Sequence, residues 1–233
     1  MPAPSRFAEQ DLVVHRVRLA GRNVVLHAPR TAGCLPLPPG APPDSERRLP
    51  FWARLWPGGV VLAHFILQSL DGALSGASVV ELGSGLGLAG IAAGLAGARL
   101  TLTDQDPLAL GFALGNARAN GLAGAQALEV HWTEPASVAR AGSFDAVVGA
   151  EVVYDPRHVR PLVAALGQLL RPGGSAWIAD PERLGHAPLA EAARDAGFDI
   201  RHEGVFAHPN GVAIVDGTDE PSDIRVFRLS RRA

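Results

Sequence analysis

The sequence predicts an α/β domain built on one mostly parallel sheet with helices on both faces. Three observations predict it. The first is a set of short apolar runs, Val79 to Leu82, Leu100 to Thr103, Ala146 to Ala150 and Ala176 to Ala179, each of strand length. The second is the helical periodicity between and after them, clearest over 158–170, where Val159, Leu162, Val163, Leu166, Leu169 and Leu170 share a face. The third is the join between the first two runs: Gly83-Ser84-Gly85-Leu86-Gly87, an Ala/Gly-rich segment, and a second run ending in Asp104.

That join carries chemistry. Alternating glycines let a chain turn sharply and leave no Cβ between backbone and ligand. A helix over 86–98 would point free N–H groups at the turn. Asp104 would lie beside the turn, placed for ribose hydroxyls. It follows Gly85 by 19 positions (104 − 85), and Gly85-Leu86-Gly87-Leu88-Ala89-Gly90 also satisfies the dinucleotide pattern. Glu81 favours another ligand. A carboxylate two residues before the first glycine suits a cationic amino group, which a dinucleotide pyrophosphate does not offer.

Glu81-Leu82-Gly83-Ser84-Gly85-Leu86-Gly87 resembles the first motif of the seven-β-strand S-adenosylmethionine methyltransferases. The resemblance implies a Rossmann-like seven-stranded sheet of order 3-2-1-4-5-7-6 with its last strand antiparallel. It implies S-adenosylmethionine as cofactor. Its methionine part would lie at Glu81, Gly83, Ser84, Gly85 and Gly87, and its ribose at Asp104.

Two further stretches narrow the resemblance. Phe51-Trp52-Ala53-Arg54-Leu55-Trp56-Pro57-Gly58-Gly59 is similar to the lead-in of the protein-lysine methyltransferases that include the electron-transfer-flavoprotein β-subunit enzyme. The likeness implies that Trp56 borders the cofactor; Phe51 and Trp52 read as core. Gly149-Ala150-Glu151-Val152-Val153-Tyr154 resembles that subgroup's acidic-to-aromatic motif. By it, Ala150 lies beside the cofactor, while Glu151 and Tyr154 receive and orient the acceptor amine. Trp132 falls where the subgroup has an aromatic beside the adenine. The Asn-Pro-Pro-Tyr type of motif is missing, which argues against adenine or glutamine as acceptor. Asp180-Pro181-Glu182-Arg183 also resembles the flavoprotein-directed enzymes.

The remaining features bound the reading. The 233 residues, 47% of them hydrophobic, suffice for one α/β core. A net charge of −2 gives no basic field for nucleic acid. Cys34 is the lone cysteine, Met1 to Arg6 hold no apolar core of a signal peptide, and no apolar run is long enough for a membrane span. A cytoplasmic protein acting on a protein substrate is expected, electron transfer flavoprotein or a ribosomal protein being the first candidates. His131 stands without a partner for a metal site.

Alternation over 11–28 suggests a β-hairpin turning at Gly21-Arg22-Asn23, and 29–50 reads as a Pro-rich loop. The division expected is an extension over 1–50 and a methyltransferase domain over 51–233. Asp106 before Pro107 and Asp155 before Pro156 read as helix caps. A third strand is expected over 128–132, Pro161 in the first turn of its helix, a helix over 187–197, and two last antiparallel strands over 199–206 and 224–229. The polar loop 208–222 between them would border the acceptor entrance. Two alternatives stay open on the same scaffold: a small-molecule (nicotinamide-type) N-methyltransferase, and an NAD-binding oxidoreductase, which would leave Trp56, Trp132 and Glu151 unexplained.

Overall fold

The computed structural model describes residues 7–31, 35, 50–140, 143–181, 186–207 and 223–231. A 3-10 turn at Glu9–Asp11 leads into a hairpin of β1 (Leu12–Leu19) and β2 (Arg22–Pro29). Leu19 pairs with Arg22, so the turn is Ala20-Gly21, both with positive φ (46° and 79°). That is the two-residue turn whose twist matches the strands. The turn thus comes earlier than expected, and Arg22 and Asn23 belong to β2.

A 3-10 turn, Phe51–Ala53, precedes α1 (Pro57–Ser69). Then come β3 (Ser78–Leu82), α2 (Leu88–Leu95), β4 (Arg99–Asp104), α3 (Pro107–Ala119), β5 (Gln126–Glu129), α4 (Pro135–Arg140), β6 (Phe144–Ala150), α5 (Pro156–Leu169), β7 (Leu170–Asp180), α6 (His186–Asp195), β8 (Phe198–Phe206) and β9 (Ile224–Arg231). The seven-stranded sheet runs β5-β4-β3-β6-β7-β9-β8. Counted from β3, this is the expected 3-2-1-4-5-7-6. Pairings from β5 through β7 are parallel, and β9 runs antiparallel to both β7 and β8.

One face of the sheet is covered by the hairpin, α1, α2 and α3, whose buried side chains form one cluster. Val138 of α4, with α5 and α6, covers the other. Strand order reverses between β3 and β6. A parallel sheet opens a crevice there, at the carboxyl ends of the strands.

Several boundaries differ from expectation for local reasons. The helix after the glycine turn spans only 88–95, because Gly87 in the left-handed region starts it and Gly97 (φ 94°) follows it. The third strand is 126–129, not 128–132. Val130 N–H still donates to Asp104 O, but His131 N–H turns to Ser137 Oγ, and Trp132 leaves the sheet edge. Helix α5 starts at Pro156, capped by Asp155 on Arg157 N–H, so Pro161 lies beyond the first turn, inside the helix. Asp106 caps α3 through Leu108 N–H, as expected. Strand β7 begins at Leu170 and bulges before Ser175 through Gly173 (φ 77°). Cys34, Glu182, Arg183 and the loop 208–222 lie outside the described residues.

Candidate functional site

The glycine turn owes its shape to the residues around it. Gly83, Gly85 and Gly87 take φ of 61°, 50° and 85°, where a side chain would be strained. Gly87 N–H donates to Ser84 O at 2.6 Å, and Ser84 N–H donates to Thr103 O at 2.8 Å, tying the turn to β4. Space is short as well. A Cβ on Gly83 would stand 3.2 Å from the Trp132 ring, and one on Gly85 3.0 Å from the Trp52 carbonyl oxygen.

The turn floors a cleft of about 520 Å³, a size suited to a nucleoside-sized ligand. Five separate stretches of chain meet around it: 50–59, 81–89, 104–106, 132 and 150–154. Trp56, Glu81, Gly83, Ser84, Gly85, Asp104, Trp132, Ala150, Glu151 and Tyr154 all line it. Gly87 does not. It caps α2, and a Cβ there would meet Ala113 at 3.2 Å, so its need is the close approach of α3.

Two carboxylates sit at the ends of β3 and β4. Glu81 is buried, its Oε2 has no hydrogen-bond partner among the described residues, and Gly90 leaves it room, since a Cβ there would be 2.6 Å from that oxygen. Burial pushes its carboxyl up to about 8; the Gly90 and Ala89 amides at the start of α2 oppose the rise, and Asp104 adds to it. Asp104 accepts Gly85 N–H on Oδ2 at 2.9 Å and Asp106 N–H on Oδ1 at 3.0 Å. Burial still leaves its carboxyl above the usual range, against those bonds.

Glu151 closes the cleft on the far side. It follows β6 with φ of 55°, a left-handed conformation that costs a side-chain-bearing residue about 1–3 kcal/mol. The surroundings hold it there: its N–H donates to Ala179 O at 2.8 Å, and its Oε1 accepts Gly58 N–H at 2.7 Å. It therefore caps α1, whose own N-cap, Trp56, makes no side-chain cap bond. Tyr154 is half-exposed at the mouth and meets His158 edge-on at 5.9 Å. Burial, then Asp155 and Asp104, raise its phenol above the ordinary value.

Trp56 spends its indole N–H on Phe51 O at 2.8 Å, leaving its ring as the surface offered to the cleft. Phe51 is corrected from core to rim, being 73% exposed. Trp52 is both: it packs on Phe112 with ring centres 5.5 Å apart, and it also lines the cleft. Sequence reasoning passed over Gly58, Arg54 and Val152, which border the cleft or its carboxylates. Gly58-Gly59 directly after Trp56-Pro57 was the available signal for the first. His131 meets Glu129 at 3.3 Å, and no metal-binding cluster is found among the described residues.

The model of the lysine methyltransferase family matches residues 51–186, the segment that supplies all of the cleft's lining residues except Pro50. The chain belongs to that family. Among its similar relatives is protein N-lysine methyltransferase METTL21A of Danio rerio, 39% identical over 113 residues, which are 46% of this chain and 50% of that one. Another is the electron transfer flavoprotein beta subunit lysine methyltransferase of Rattus norvegicus, 39% identical over 108 residues, 46% of this chain and 40% of that one. The chain spans about half the length of the relatives it matches. The family fold recurs in the magnesium protoporphyrin IX methyltransferase of Synechocystis PCC 6803 with bound S-adenosylhomocysteine. There the TM-score is 0.58 at 17% identity, covering 80% of this chain and 90% of that one. No helix among the described residues is long and apolar enough to cross a membrane.

Proposed function

We propose that this lysine methyltransferase family member moves a methyl group from S-adenosylmethionine to a lysine side chain of a protein. The observation that carries the reading is the acidic lining of the cleft. Among the described residues lining it, Glu81, Asp104, Asp106 and Glu151 stand against the single guanidinium of Arg54. Such a site suits a ligand that is itself cationic at the sulfur and at the amino end, and then an amine acceptor. The local fit agrees. The glycine cradle leaves little room for Cβ atoms, and the buried Glu81 Oε2 lacks a partner that an ammonium group would supply.

When bound, S-adenosylmethionine supplies an electrophilic methyl on a positively charged sulfur. Transfer would form an N–CH3 bond as the S–CH3 bond breaks, with the electron pair staying on sulfur. The chain's residues have three tasks. Glu81 and the turn from Gly83 to Gly85, with Ser84, hold the methionine end. Asp104 holds the ribose, and the Trp132 and Trp56 rings and Ala150 border the purine and the sulfur. Glu151 and Tyr154 receive the lysine amine. A free lysine has a pKa of about 10.4, so shedding its proton at pH 7 costs about 4.6 kcal/mol. A carboxylate beside the amine orients it as the proton leaves to water, and positioning is the main catalytic demand. The aromatic mouth favours the amine by cation–π contact.

The test is transfer of labelled methyl from S-adenosylmethionine into a host lysate. We expect the label in protein, as methyl-lysine; the electron transfer flavoprotein β subunit and ribosomal proteins are the substrates to look for first. Glu151→Gln keeps an acceptor for Gly58 N–H but removes the charge. It is expected to lower transfer at least about 100-fold while leaving S-adenosylhomocysteine affinity within a few-fold. Label confined to small molecules, or undiminished transfer by Glu151→Gln, would overturn the reading.

A further inference from the structure

Asn116, on α3, is fully buried and makes three hydrogen bonds that join parts of the chain far apart in sequence. Its Oδ1 accepts His27 N–H at 2.8 Å, and its Nδ2 donates to His27 O at 3.1 Å. These grip β2 of the N-terminal hairpin. The same Nδ2 donates to Leu86 O at 3.0 Å. Leu86 is the residue between Gly85 and Gly87, inside the turn that floors the cleft. Both amide N–H groups are thus committed, one to each side. Leu86 O stands outside the ladder of α2, whose bonding opens with Ile91 N–H on Gly87 O.

Four residues on, at the C-cap of α3, Asn120 grips the hairpin in the same way. It accepts Val25 N–H at 2.9 Å and donates to Val25 O at 2.7 Å. Its remaining bond goes to Asn116 O at 2.8 Å, not to the glycine turn. The two asparagines therefore share the hairpin, and only Asn116 reaches the cleft floor. Packing follows the same path. Ala113 abuts Gly87, and Phe112 contacts Phe7 ahead of the hairpin at 5.1 Å and the cleft-lining Trp52 at 5.5 Å.

We infer that the N-terminal hairpin is a brace for the cofactor turn, with Asn116 as the positioning residue that couples hairpin docking to cofactor affinity. This rests on the reading of the turn as the S-adenosylmethionine site. The two amide N–H groups hold the Leu86 carbonyl at a fixed distance from β2. A turn held this way does not have to be ordered by the ligand, so less binding free energy is lost on association. Coupling of this kind is reciprocal: what the hairpin does for the ligand, the ligand does for the hairpin.

The test needs no variant at first. Amide hydrogen exchange is followed in the wild-type protein with and without S-adenosylhomocysteine. The expected result is slower exchange at His27 N–H, outside the cleft, together with the glycine turn. Next, Asn116→Ala and Asn120→Ala are compared by calorimetric titration below the melting temperature of both. Asn116→Ala is expected to weaken S-adenosylhomocysteine by about tenfold, and Asn120→Ala by much less, with ligand protection of His27 lost only in the former. Binding that protects the turn but leaves His27 unchanged in the wild type would overturn the coupling alone. Equal losses in the two variants would do the same, reducing Asn116 to a hairpin anchor. Absence of any S-adenosylhomocysteine binding to the wild type would overturn the functional reading and the coupling with it.

Discussion

Gly58 and Gly90 carry no functional group, yet each makes room for a carboxylate. A Cβ on Gly58 would lie 2.6 Å from Glu151 Cγ, and one on Gly90 2.6 Å from Glu81 Oε2. Both glycines lie in the first turn of a helix, where backbone N–H groups are left over. The helix ends thus turn N–H donors toward the two acids lining the cleft, an arrangement that in general favours a carboxylate's charge. For Glu81 this is not enough without a ligand, because burial keeps its carboxyl at about 8. An acid with a raised folded value binds more protons folded than unfolded between its two values. Glu81 therefore makes the ligand-free protein lose stability as pH rises from about 4.5 to about 8, by several kcal/mol at most. Thermal melts of wild type and Glu81→Gln across that range check this. The variant should gain on the wild type steadily up to about pH 8, and a constant difference would contradict it.

At the level of elements, α5 carries a defect. Pro161 sits in its second turn, so Arg157 O loses its helical partner there. Pro161→Ala restores that bond and is expected to stabilise the protein by about 1–2 kcal/mol, read from denaturant melts. A loss of stability would show that the proline fits its site without cost. The elements also show what the chain's order of residues reveals and what it hides. The glycine turn was legible because positive φ demands glycine and because strand, turn, helix and acid fall in one short stretch. Two of the proline-led helices, α3 and α5, were legible through Asp106 and Asp155, since a cap is a local contact. The end of β5 was not, because Leu128, Val130 and Trp132 alternate as a longer strand would, while a serine on the next helix takes the His131 amide instead. The rim position of Phe51 was hidden too: a large apolar residue reads as core unless the cleft beside it is known.

Over the whole molecule, the site is assembled from separate stretches that meet where the sheet reverses its order, and three of them, 51–59, 81–87 and 149–154, came with recognisable motifs. What sequence could not supply is how they are held. Glu151 reaches Gly58 across 93 residues, and Asn116 reaches His27 across 89. Asn116 near the end of α3 and Asn120 at its C-cap carry no local sign of their partner; only the folded chain gives them the edge of β2. The hairpin lies outside the segment matched by the family model, yet its apolar side chains belong to the same core as α1, α2 and α3. The central claim is that this cleft holds a sulfonium cofactor with its amino end at Glu81 and its ribose at Asp104. A crystal structure of the protein grown with S-adenosylhomocysteine tests it most directly. The account predicts the ligand along the turn from Gly83 to Gly85, its ammonium within hydrogen-bond reach of Glu81 and its ribose hydroxyls on Asp104. Ligand seated elsewhere, or lying there with its amino end away from Glu81, would contradict it.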